Sequence, residues 1–170
     1  PFLSHPYEWP FAALKAAALL QLDLLLEALA SGFVLTDASA YNLQFRGSEP
    51  VFVDTLSFRP YREGEHWLGH RQFCAQFLNP LLLRAKLGLD YHAWYRGSPD
   101  GIGAAELDRL LPWWRKLSPN LYMHVRLQAR LQAASGARER AQAAVGRGLP
   151  RKGFIDIVRG LRVWIAAMEP

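Results

Sequence analysis

The sequence predicts a mainly α fold carrying one small β-hairpin. Five stretches, residues 10–30, 65–87, 104–111, 121–134 and 154–168, repeat apolar residues at helical spacing. Two short β-prone runs, residues 43–46 and 51–53, flank the turn-forming cluster Gly47-Ser48-Glu49-Pro50. Apolar residues make up 51% of a 170-residue chain, enough to bury a substantial core and to exclude global disorder.

Taken in order, residues 1–9 are rich in Pro and aromatics and read as an extended entry. Residues 10–30 form a helix with too many leucines for a narrow stripe, so it is expected to be largely buried, with Lys15, Gln21, Asp23 and Glu27 on its wet side. Ser31-Gly32 ends it, since glycine takes the left-handed cap most cheaply. Phe33-Val34-Leu35 reads as a short strand and residues 58–64 as a loop. Residues 65–78 read as a helix broken near Pro80, whose ring cannot continue the hydrogen-bond ladder, and 81–87 resume it up to Gly88. Residues 89–102 are loop-rich. Trp113 and Trp114 are placed between helices, and a further helix opens at Pro119-Asn120.

The hairpin organises the chemistry. It returns the chain on itself, which sets Asn42, just before the first strand, beside Asp54, just after the second. Asp37 lies on the loop feeding the same corner. A structural role is open to all three: Asp37 as a turn residue for 38–41, Asn42 in a left-handed turn, and Asp54 as an N-cap.

The order Asp37-x-x-x-x-Asn42, hairpin, Asp54 resembles the catalytic loop and metal-binding Asp of protein-kinase-like phosphotransferases of the aminoglycoside and choline kinase type. The resemblance extends over about fifty residues, because a long helix and short strand lead into that loop. It implies a kinase-like C-terminal lobe, with the N-terminal lobe missing. It makes Asp37 the base that orients a substrate hydroxyl, and Asn42 and Asp54 the ligands of Mg²⁺ on ATP; hard oxygen ligands suit that cation. Gln44 stands where such kinases set an apolar side chain beneath the adenine ring, which makes it the cofactor-contacting residue and gives the site a polar floor. Leu35-Thr36 replaces the usual His-Arg or His-Gly, and Thr55-Leu56 the usual Phe-Gly. No glycine-rich phosphate loop is present in this chain.

The net charge of +5 is uneven: 8 Lys/Arg against 10 Asp/Glu up to residue 100, then 12 against 5, or −2 and +7. Arg126, Arg130, Arg138, Arg140, Arg147, Arg151 and Lys152 belong to the basic half. They lack interleaved aromatics, which favours a solvated face over a nucleic-acid groove. Cys74 has no disulfide partner, and the spacing of Cys and His shows no metal framework, so a reducing, cytoplasmic setting and a buried, inert thiol are expected. His66 and His70 share a helix face without an evident third ligand. No apolar run approaches the roughly 20 residues of a membrane span.

Residues 3–9, 37–42, 52–58 and 61–74 together look like a region that precedes the catalytic domain in uncharacterised bacterial class I S-adenosylmethionine-dependent methyltransferases. The resemblance implies a kinase-like unit at 1–134 and a basic linker and helix at 135–170 leading to a missing downstream domain, which would hold that cofactor outside this chain. The helix at 154–168 is expected to pack on that domain. The start at Pro1 and the end just after an apolar stretch read as an excerpt, with an upstream lobe and an unknown acceptor as the remaining partners. The alternative function is a non-catalytic accessory or substrate-presenting module.

Overall fold

Helix α1 (Phe11–Ala30) is the axis of the fold. The structure is a computed structural model and describes residues 3–65, 67–113, 118–126 and 150–170, without the Arg126 side chain. Leu14, Leu22, Leu25 and Leu29 are fully buried, as the leucine density of α1 requires. Gly32, at φ 84°, turns the chain out of it.

The last helix, here α7 (Arg151–Ala166), packs along α1 and engages Lys15 and Asp23 of the expected wet side, while Glu27 stays exposed. The two run antiparallel. Arg151 donates to the carbonyls of Leu29 and Ala30 at the α1 C-terminus, Arg162 forms a two-pronged pair with Asp23, and Lys15 Nζ donates to the Met168 carbonyl at 2.7 Å. Phe154, Val158, Leu161, Ile165 and Met168 are buried in the common core. At about 2 kcal/mol per side chain this seam contributes on the order of 10 kcal/mol before ordering entropy, against less than about 1 kcal/mol for the partly exposed ion pair. The apolar face therefore fixes the helix here, and the expectation that it packs on a downstream domain is corrected. Gln21 is likewise buried, with neither side-chain polar atom partnered among the described residues.

Two small antiparallel sheets follow α1. Strands β2 (Leu43–Arg46) and β3 (Glu49–Phe52) form the expected hairpin, paired Leu43 to Phe52 and Arg46 to Glu49, with Gly47 at φ 63° in the turn. The second sheet was not expected: β1 (Phe33–Leu35) pairs with β4 (Phe58–Pro60), a segment read as loop. Pro60 marks its end, where a missing N–H costs the ladder nothing. Phe52 meets Phe58 edge-on at 5.9 Å and ties the sheets together.

Helix α2 (His70–Phe73) starts later than expected. It does not break at Pro80; it runs through a π-helical segment, Cys74–Leu78, into α3 (Asn79–Leu87). Asn79 N–H bonds back to the Cys74 carbonyl, five residues away. The next carbonyl, Ala75, would pair with Pro80, which has no N–H, and it accepts instead from Ile102 N–H at 2.8 Å. Pro80 itself sits in the first turn of α3, where a donor is dispensable.

The loop expected at 89–102 contains α4 (His92–Gly97), anchored by the buried Tyr91 and Tyr95; Tyr91 Oη donates to the Trp9 carbonyl at 2.7 Å. Helix α5 (Ala104–Leu110) lies where expected. Trp113 is 72% exposed rather than wedged between helices. Helix α6 (Pro119–Leu121) leads into a second π-helical segment, Tyr122–Arg126. Trp114, His66, the remainder of the helix expected up to residue 134 and the linker at 135–149 lie outside the described residues. No helix among the described residues is long and apolar enough to cross a membrane.

Gly101, at φ 90°, brings the 98–102 loop against the π segment, and a Cβ there would fall 2.2 Å from the Ala75 oxygen. Gly32 has a similar φ but open space around it. Gly101→Ala should therefore cost more than about 2 kcal/mol, and Gly32→Ala about 1 kcal/mol. Thermal melts followed by circular dichroism check the order.

Candidate functional site

The hairpin brings Asp37, Asn42 and Asp54 into one hydrogen-bonded cluster. Val53 N–H donates to the Asn42 carbonyl at 2.9 Å, which extends the β2–β3 ladder to its mouth and leaves Asp54 beside Asn42. Asn42 Nδ2 then donates to Asp37 Oδ1 at 2.8 Å and to Asp54 Oδ2 at 3.0 Å. Ser57 completes the cluster, its single hydroxyl proton shared between Asp54 Oδ2 and, at 3.1 Å, Asp37 Oδ1. Two carboxylates are thus held together by a shared amide and a shared hydroxyl.

The structural roles open to these residues sort out individually. Asp54 does N-cap the 3₁₀ turn Thr55–Ser57, accepting from Leu56 N–H at 3.0 Å, while also joining the cluster. Asn42 is not left-handed, for no described non-glycine residue has positive φ. Asp37 does not cap the 3₁₀ turn Ala40–Asn42; Ser39 does. Gln44 stands apart: its side chain exchanges two 3.2 Å hydrogen bonds with the backbone of Ser4 and so anchors the entry segment beside β2.

Sequence reasoning missed the groups that position the Asp37 loop. Thr36 donates to the Ser57 carbonyl through both N–H (2.9 Å) and Oγ1 (3.1 Å), locking the two flanks of the corner. Gln72 Oε1 accepts from Ala38 N–H at 3.0 Å; Gln76 Oε1 accepts from Ala40 N–H at 2.7 Å and from Ser39 Oγ at 3.3 Å. The available signal was two glutamines four residues apart. The same pair lines a cleft of about 510 Å³, together with Arg71, Asp100 and Glu106.

A second cluster was not legible either. His70 Nε2 lies 3.1 Å from His124 Nδ1 and 3.6 Å from Cys74 Sγ. Burial pushes both imidazoles down to about 4, with the neighbouring His124 adding to the effect at His70. Of the basic residues, Arg151 serves the α1 C-terminus and Lys152 is exposed; Arg130, Arg138, Arg140, Arg147 and the Arg126 side chain lie outside the described residues.

The chain is similar to nodulation protein NoeA of Rhizobium meliloti (strain 1021), with 44% identity over 169 residues. That match takes in 98% of this chain and 36% of the relative, so the chain spans about a third of its length. No family model matches the chain, and no solved structure matches it.

Gln76→Ala removes the acceptor of a buried backbone N–H, which costs about 1–3 kcal/mol. The expected result is a lowered melting temperature and faster hydrogen exchange at the Ala40 amide, read by NMR or mass spectrometry.

Proposed function

We propose that this chain is a kinase-like C-terminal lobe whose Asp37–Asn42–Asp54 corner binds a Mg²⁺–nucleotide complex for phosphoryl transfer to a hydroxyl acceptor. The observation that carries the reading is the meeting of the three side chains at the mouth of one hairpin, downstream of a long buried helix.

The donor set fits the cation. The Asp54 carboxylate and the Asn42 amide are hard oxygen donors, which Mg²⁺ prefers. As it stands, Asn42 points Nδ2 at both carboxylates. Holding the metal requires the amide to turn, presenting Oδ1 with Asp54. Bound there, Mg²⁺ would neutralise charge on the transferring phosphate. Asp37 would accept the proton of the acceptor hydroxyl. The cleft sharing Gln72 and Gln76 with the Asp37 loop supports an acceptor site alongside. Val53 and Leu56, 55% and 93% exposed on either side of Asp54, are apolar surface suited to a lobe closing over the corner.

A second reading is favoured by Gln44, which Ser4 occupies at the position expected to face the base. In it the chain is a non-catalytic accessory or substrate-presenting module of a methyltransferase whose S-adenosylmethionine site lies elsewhere in a longer protein. The similarity to NoeA, itself a nodulation protein, supports a nodulation setting for either version.

Calorimetry of Mg·ATP binding, on this chain and on a longer protein with upstream residues, tests the first reading. The expected result is Mg²⁺-dependent binding weakened more than about tenfold by Asp54→Ala, since a lost metal ligand costs at least as much as a lost supporting contact. No binding in either protein, or binding untouched by Asp54→Ala, overturns it. The second reading fails if methyl transfer by the longer protein survives deletion of residues 1–134.

A further inference from the structure

The oxygen-lined corner uses one side of the helix that starts at His70. Gln72 and Gln76 grip the Asp37 loop, whereas His70 and Cys74, each two residues earlier, lie about 200° away around the helix at 100° per residue. There they meet His124, which projects from the π-helical segment Tyr122–Arg126 and stacks on Trp164 of α7 at 6.0 Å between ring centres. Two helical stretches about fifty residues apart in sequence therefore deliver two imidazoles and a thiol to one point.

Two of the three donor separations match those of a tetrahedral coordination sphere, and a small adjustment of His124 and Cys74 would close the third. With Zn–N of about 2.05 Å and Zn–S of about 2.3 Å, tetrahedral angles place N···N at about 3.3 Å and N···S at about 3.6 Å. The observed separations are 3.1 Å between His70 Nε2 and His124 Nδ1 and 3.6 Å between His70 Nε2 and Cys74 Sγ. All three donors lie within 4.8 Å of one another. Cys74 is fully buried and His124 nearly so.

We propose that His70, Cys74 and His124 form a zinc-binding site. A donor set of two imidazoles and a thiolate selects zinc-type cations and excludes Mg²⁺, which keeps this site chemically apart from the corner at Asp37. On binding, Cys74 gives up its thiol proton to solvent and the imidazoles ligate through Nε2 of His70 and Nδ1 of His124. One tetrahedral position is left for water or a further ligand. The metal would join α2 to the Tyr122–Arg126 segment beside α7, and so brace the helix whose opposite face holds the Asp37 loop. Sequence spacing pointed to no Cys/His framework because His124 lies 54 residues from His70 and only the fold groups them.

Cobalt(II) titration of the metal-free whole chain tests the site. One equivalent should give the near-ultraviolet thiolate-to-cobalt absorption and the intense visible bands of a tetrahedral ion, both bleached by zinc. Zinc should raise the melting temperature and a chelator lower it. Cys74→Ser should abolish the thiolate band, His124→Ala should weaken binding more than about tenfold, and Asp54→Ala should leave both unchanged. Should the ligand variants fail to fold, the titration of the unaltered chain is decisive. Absence of the thiolate band in the folded chain, or cobalt taken up with only octahedral, thiolate-free spectra, overturns the proposal and leaves a hydrogen-bonded His–His–Cys cluster.

Discussion

The missing N–H of Pro80 is the constraint around which the helical half is built. An α-helix running unbroken into Pro80 would set its ring against the carbonyl four residues back. The chain widens to π geometry over Cys74–Leu78, and the carbonyl of Ala75 is handed to Ile102. That bond draws the 98–102 loop onto the helix, where only a glycine at 101 leaves room. Gln72 and Gln76 reach the Asp37 loop from the same rod that turns His70 and Cys74 the other way. The lost donor fixes the contact between this rod and the 98–102 loop.

The corner itself is an electrostatic compromise. Two carboxylates at hydrogen-bonding distance from the same amide repel one another unless donors sit between them. Asn42 and Ser57 supply those donors, each touching both acids. The arrangement is self-sufficient as protein, which is why a purely structural role and a metal-binding role predict the same contacts. They separate only when a cation competes with the Asn42 and Ser57 donors for the same oxygens.

Where local pattern decides structure, the sequence was readable. The hairpin follows from two β-prone runs around Gly47-Ser48, and α1 from its leucines and the glycine that ends it. The meeting of Asn42 and Asp54 follows from the hairpin, whereas Asp37 joins them on a loop held by Thr36, Gln72 and Gln76. What was hidden depends on contacts between distant residues. The β1–β4 sheet joins three-residue strands more than twenty residues apart, one ending in proline. Helix α4 exists because Tyr91 and Tyr95 dock beneath the entry segment, not because of propensity. His124 lies 54 residues from its partner His70, and no spacing rule links them. Gln44, read as a base-contacting residue, was already engaged by a backbone forty residues away.

The same reasoning relocates the meaning of the amphipathic C-terminal helix. Its apolar stripe looked unsatisfied because a partner was sought downstream; the partner is α1, more than a hundred residues upstream. Arg151 and Lys15 fix its two ends by bonding helix-terminal carbonyls, and the Asp23–Arg162 pair sets the register between them. Since Trp164 of this helix stacks on His124, the packing that closes the core also holds an imidazole over His70 and Cys74. The hydrophobic seam and the His–Cys cluster are therefore one structural unit, and anything that strengthens the cluster also strengthens the closure of α7 on α1.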